Sequence, residues 1–165
     1  LYEVPFGTRL HDLIELAGGV REGRPLRAVL LGGAAGRFVT PDELDVELSF
    51  EGTRRVGTTM GSGVVLLIDD SVDMKAILMR IAAFFRDESC GQCVPCRVGT
   101  VRQEESLARL ASGRPRGSLQ DEYALLDEIK IAMRDASICG LGQTAADAIE
   151  SALAKLAVFE NGGTR

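Results

Sequence analysis

The sequence predicts an α+β fold in two parts: a small sheet packed on one helix over residues 1–70, then a bundle of four helices over residues 71–165. Three observations carry this expectation. Short β-branched or alternating runs separated by Gly, Pro and Asp fill the first part. Long helical periods fill the second, and the composition changes between them at Asp69-Asp70-Ser71. With 45% apolar residues, a chain of 165 residues has enough material for a core.

In chain order, Thr8 is expected to cap a helix whose apolar positions Leu10, Leu13, Ile14 and Ala17 follow the i, i+3, i+4, i+7 rule, with Gly18-Gly19 as its exit. Strands are expected at 27–31 (RAVLL), 37–39 (RFV), 44–48 (LDVEL) and 63–68 (GVVLLI). The GGAAGR stretch at 32–37 reads as a hairpin turn, because it lies between two short strands rather than ahead of a helix, where a phosphate loop would sit. Ser71 is expected to cap a helix with Met74, Ile77, Leu78, Ile81, Phe84 and Phe85 on one face. A second helix should begin near Arg97, carry a weak stripe of Val98, Val101, Leu107 and Leu110, and stop at the GRPRG break, 113–117. Ser118 with Asp121 resembles a capping box for a third helix, with Leu119, Tyr123, Leu126, Ile129 and Met133 inward. Thr144 with Asp147 repeats that signal for a fourth, carrying Ala148, Ala152, Leu153 and Leu156.

Several function classes are disfavoured at once. A net charge of -5 with interspersed signs offers no basic stripe for nucleic acid. The longest apolar run, Val64 to Ile68, is far short of the ~20 residues that span a bilayer. Four cysteines, three of them clustered, suit a reducing compartment, so the cytoplasm is expected. The chain begins at Leu1 and reads as a piece of a longer protein. No Ser/His/Asp set or carboxylate pair suggests hydrolysis. His11, the sole histidine, reads as a surface residue, and the acidic stretches 103–106 and 121–128 read as solvated helix faces.

The chemistry is concentrated in the cysteines. Cys90, Cys93 and Cys96 stand three apart, and Cys139 follows 43 residues later between the last two expected helices. Thiols at i, i+3 and i+6 cannot share one helix face, but a non-helical loop can wrap them around three corners of a cube-shaped cluster, leaving a remote thiolate to supply the fourth. Cys-x-x-Cys-x-x-Cys with a distant Cys is the spacing of four-thiolate [4Fe–4S] sites. Such a cluster is negatively charged and needs donors. Gly91 would let the chain bend so that its own N–H and that of Gln92 meet the sulfurs, and the helix from Arg97 would aim its positive end at them. Gly140 and Gly142 would bend the opposite side. A structural zinc in a helical interaction module is the alternative, although zinc sites more often use two separated Cys-x-x-Cys pairs. A redox dithiol would need only one pair.

With these residues in view, the chain resembles the C-terminal portion of the flavoprotein subunits of NADH-oxidising complexes. That family includes a respiratory complex I subunit, the β subunit of NAD-dependent formate dehydrogenases and the diaphorase subunit of bidirectional hydrogenases. The likeness rests on FFRDESCGQCVPCRVGT (84–100), matching an E-S-C-G-x-C-x-P-C-R signature, and on SICGLGQTA (137–145), matching S-x-C-G-L-G-x-x-A. The wording CGQCVPCRVGTVRQEE and CGLGQTA leans toward the formate dehydrogenase and hydrogenase members.

The resemblance implies a ubiquitin-like β-grasp domain of the soluble-ligand-binding type over 1–70 and a four-helix iron–sulfur domain over 71–165. It implies that Cys90, Cys93, Cys96 and Cys139 bind one [4Fe–4S] cluster, which takes electrons from a flavin mononucleotide reduced by NADH and passes them toward partner subunits. Gly91 and Gln92 would lie about the cluster, Arg97 would either add its charge there or stand solvated in the first turn of its helix, and Gly140 and Leu141 would approach the flavin in the complete protein. The family's Gly-rich FMN- and NAD(H)-binding domain has no counterpart in these 165 residues, so they are expected to be the electron-relay part of the oxidoreductase, without its hydride site. A ligand-binding role for residues 1–70 would rest on fold analogy alone.

Overall fold

The computed structural model describes residues 1–160. Its secondary structure is α+β, with a three-stranded sheet and several helices, and backbone contacts divide it into two compact units, Leu1–Val72 and the chain from Asp73 onward.

In the first unit, β1 (Leu26–Leu31), β2 (Arg37–Val39) and β3 (Val65–Asp69) form an antiparallel sheet in the order β2-β1-β3. Pairing of Leu31 with Arg37 makes 32–36 a hairpin turn. The alternate side chains Val29, Leu31 and Val39 pack with Leu10 and Ile14 of α1 (Leu10–Leu16) and with Val46 and Leu48. This is the sheet-on-helix core that the period-2 and period-3.6 patterns imply.

Two expectations fail here for one reason. Thr8 does not cap α1, since its hydroxyl donates to Pro5 O, and 44–48 is not a strand beyond a single bridge between Arg9 and Glu47. The first amides of α1 have no intrahelical acceptor. Leu10 N–H donates to Val46 O at 2.9 Å and His11 N–H to Leu44 O at 3.0 Å, so the supposed strand caps the helix with its backbone. A short helix the alternating pattern did not suggest, α2 (Phe50–Arg55), follows with Ser49 as its cap. His11 lies at the surface, 3.2 Å from Glu15.

The second unit holds four longer helices: α3 (Met74–Glu88), α4 (Val94–Ala111), α5 (Leu119–Ala136) and α7 (Asp147–Leu156), with the one-turn α6 (Gly140–Thr144) before the last. Asp73, not Ser71, caps α3 by accepting the Lys75 N–H, because Ser71 is taken up in a turn with Asp69. Met74, Leu78, Ile81 and Phe85 are buried as expected, whereas Phe84 is 45% exposed. The capping box Ser118/Asp121 of α5 is present in full. Thr144 does not repeat it: its hydroxyl turns back to Gly140 O, so α7 begins without a side-chain cap.

The stripe assigned to α4 is the largest correction. Leu107 and Leu110 are buried as expected, but Val98 and Val101 are exposed, and the rest of the buried face is Cys96, Gly99, Thr100, Gln103 and Ser106. The acidic stretches are likewise not plain solvated faces. Glu122 is 0% exposed, holds Arg109 through two contacts of 2.6 and 2.9 Å, accepts the Ser106 hydroxyl and the Arg116 N–H, and so ties α4 to α5 at their turn. Glu104 pairs with Arg86, linking α4 to α3. Periodicity read those groups as outward because it counts charge and cannot count partners.

Candidate metal centre

Cys90 lies in the loop after α3, and Gly91 turns the chain with φ +75, a conformation that costs other residues and not glycine. Cys93 is then the N-cap of α4, and Cys96 sits in its first turn. The helix therefore starts at Val94, three residues before Arg97, and Pro95 lies inside the first turn, where no amide donor is needed. Only part of the cysteine segment is non-helical, in contrast to the expected loop.

Cys139 comes from the other side as the N-cap of α6. Two side-chain amides hold it there, one buried and one exposed: Gln103 Nε2 donates to Ala145 O at 3.0 Å, and Gln143 Nε2 donates to Ser137 O at 3.0 Å. Gln103, read from sequence as a solvated residue, thus docks the Cys139 turn onto α4. Gly142 is needed for close approach rather than for bending, since a Cβ there would come within 2.9 Å of Cys96 Cβ. Gly140 meets no such limit, so the bending expected of both glycines is found at neither.

Cys90, Cys93, Cys96 and Cys139 together line one cavity of ≈ 240 Å³, with Gln92, Ile138 and Leu141 also in its wall. Of the other residues singled out, Gly91 and Arg97 lie beside it, Arg97 donating to Gly91 O at 3.4 Å, and Gly140 follows Cys139. The Gly91 N–H meets Ser89 Oγ at 3.4 Å, not a cysteine sulfur. All four cysteines are free thiols. Among the described residues no three His, Cys, Asp or Glu side chains converge tightly enough for a single ion.

The thiols are not equivalent. Cys93 is held below the usual thiol pKa, first by the backbone N–H of Ile138 and then by that of Cys96, with a further pull from the Ser137 hydroxyl. Burial pushes Cys96 the other way, and the Ser89 hydroxyl, 3.3 Å from its sulfur, offsets part of this. Donor-rich surroundings for sulfur, apolar walls and a concave opening suit a buried anionic centre. Sequence reasoning quoted Ser89 and Ser137 inside its motifs but gave them no part, because a serine beside a cysteine carries no signal until the fold aims its hydroxyl.

Comparison with known proteins places this arrangement. Residues 76–158 match the family model of the NADH-ubiquinone oxidoreductase-F iron-sulfur binding region. The chain belongs to this family. Its members are iron–sulfur proteins, and an iron–sulfur cofactor follows for the second unit. The NADH-quinone oxidoreductase F subunit of Mycobacterium tuberculosis (strain ATCC 25618 / H37Rv) is 36% identical over 167 residues, covering 98% of this chain and 37% of that protein. The HndC subunit of the NADP-reducing hydrogenase of Solidesulfovibrio fructosivorans is 34% identical over 154 residues, covering 93% of this chain and 31% of that one. The crystal structure of an NAD+-reducing [NiFe]-hydrogenase in the H2-reduced state superposes with a TM-score of 0.79 at 32% identity, over 93% of this chain and 25% of that chain. The chain spans about a third of the length of these curated relatives. No helix among the described residues is long and apolar enough to cross a membrane.

Proposed function

We propose that this chain is the electron-relay part of an NADH-oxidising flavoprotein subunit, with Cys90, Cys93, Cys96 and Cys139 holding one [4Fe–4S] cluster. The observation that carries this reading is the cavity ringed by all four thiols, drawn from segments 43 residues apart and set in a chain of the iron–sulfur family. A four-thiolate cluster supplies one-electron chemistry. The chain's own contribution is to hold the four sulfurs, to aim the Ile138 and Cys96 N–H groups at Cys93, and to bury Cys96. Gly91, Gln92 and Arg97 shape the Cys90–Cys96 side, while Gly140 and Leu141 form the rim on the Cys139 side.

The same reading assigns residues 1–70 to a ubiquitin-like β-grasp domain that docks subunits, and 71–165 to a four-helix iron–sulfur domain. FMN and NAD(H) would bind in a domain outside these residues, and the partners would be iron–sulfur subunits of a cytoplasmic redox assembly. Likeness to a quinone oxidoreductase component and to hydrogenases supports an assembly of that kind. A formate dehydrogenase has only the motif wording CGQCVPCRVGTVRQEE and CGLGQTA in its favour.

The test is metal analysis of anaerobically prepared protein. Brown protein with about four irons and four acid-labile sulfides per chain is expected. Zinc without sulfide would overturn the relay and leave a zinc-stapled interaction module.

A further inference from the structure

Two hydroxyls beside the thiols are left over by the ligand assignment. Ser89, the C-cap of α3, has its Oγ 3.3 Å from Cys96 Sγ while accepting the Gly91 N–H at 3.4 Å. A metal-bound thiolate has no proton to give, so in that state the Ser89 O–H is the donor of the pair. Ser137 is 6% exposed, and its Oγ has no hydrogen-bond partner among the described residues. Its backbone is fully engaged, with N–H donating to Met133 O at 3.1 Å and C=O accepting from Gln143 Nε2. Only the hydroxyl is unsatisfied, and a buried hydroxyl without a partner calls for an explanation.

The surroundings supply one. A Cβ on Gly142 would fall 2.3 Å from Ser137 Oγ and 2.9 Å from Cys96 Cβ, so glycine there leaves the space this oxygen occupies against the cysteines. The same hydroxyl also helps hold the Cys93 thiol below its ordinary pKa, after the Ile138 and Cys96 N–H groups. A metal-bound thiolate is a stronger acceptor than a neutral thiol, and this hydroxyl has a proton to offer one.

We propose that Ser137 and Ser89 are paired hydroxyl donors to the Cys93 and Cys96 sulfurs, and that together they set how readily the bound centre accepts an electron. This rests on the ligand assignment above. Reduction adds one electron, makes and breaks no bond in the protein, and leaves both hydroxyl protons on the serines. A proton held toward a sulfur stabilises the state with more negative charge, so both serines raise the reduction potential. They are positioning residues: they act through the ligands and touch no substrate.

The experiment is an EPR-monitored redox titration of the full chain, poised with dithionite, together with ENDOR in H2O and D2O. Ser137→Ala and Ser89→Ala should each make reduction about tenfold less favourable, a midpoint about 59 mV more negative. Ser89→Thr, which keeps the hydroxyl, should stay near the wild-type midpoint. The wild-type centre should show exchangeable protons that each alanine variant loses in part. A midpoint does not depend on the fraction of chains that carry the centre, so partial loss of iron in a variant does not spoil the reading. Unchanged midpoints in both alanine variants overturn the proposal, as does a wild-type centre with no coupled exchangeable proton. If the wild-type chain bound neither iron nor sulfide, the ligand assignment itself would fall and this inference with it, so the two failures are distinguishable.

Discussion

The two ends of α4 bury polar groups in opposite ways. At its C-terminal end, Glu122 is wholly enclosed and every oxygen has a donor: Arg109 twice, Ser106 and the Arg116 N–H. At its N-terminal end, Cys96 and Ser137 are also buried, yet among the described residues the Ser137 hydroxyl has no hydrogen-bond partner, and four thiols line one cavity. The first arrangement is satisfied within the protein, and the second turns thiols and a hydroxyl toward a cavity. Burial of a polar group therefore does not mark a functional site by itself.

Cys139→Ala tests the incomplete end most harshly. It should abolish cluster assembly as fully as Cys93→Ala, with iron and sulfide falling from about four of each per chain to near zero. Near-normal iron in that variant would remove Cys139 from the ligand set.

Glu122→Gln strikes the complete end. It leaves the Arg109 guanidinium, only 21% exposed, without its anion, and a loss of about 3–5 kcal/mol in urea-melt stability is expected. Iron per folded chain should not change, because Glu122 touches none of the thiols.

The same carboxyl makes a pH prediction. Its folded-state pKa is lowered from 4.5 to about 2, chiefly by the Arg109 hydrogen bonds. A lowered acid pKa contributes stability that is present above the unfolded value and lost as pH falls. Stability on the order of 3 kcal/mol should thus disappear between pH 4.5 and about 2, and Glu122→Gln should flatten that part of the urea-melt profile. An unchanged slope in the variant would assign the acid loss to other groups.

Removing the cluster under anaerobic chelation should separate the ends further. Amides around Ile138 and Cys93 should exchange hydrogen at least about tenfold faster, while those around Arg116 and Glu122 keep their protection. Equal loosening at both ends would mean that the thiol end is not the ligand-dependent one.

The smallest effect distinguishes two glycines that sequence reading treated alike. Gly142→Ala must move Ser137 Oγ and Cys96 Cβ, and should cost about 1–3 kcal/mol and lower iron content. Gly140→Ala meets nothing within 4 Å and should stay within about 0.5 kcal/mol of the parent, by the same melt.

Legibility followed the type of signal. The β1–β2 hairpin, β3, α3 and the Ser118 cap of α5 were readable, because alternation, 3.6-residue periodicity and capping boxes are local patterns. The cap of α1 was not, because the carbonyls of Leu44 and Val46 that satisfy it lie far along the chain. The four cysteines stood out through spacing, but Gln103, Ser106 and Glu122 looked like solvent-facing residues until their partners were in view.

By itself the sequence determined the α+β division, the thiol set and the family motifs, since each depends on residue type and spacing. Only the tertiary structure decided that Cys96 lies in the first turn of a helix, that Gln103 docks the Cys139 turn, and that Ser137 is left with a hydroxyl to offer. The reason is physical. A side chain's hydrogen-bond partners are chosen by what the fold brings within about 3 Å, and composition carries no record of that choice.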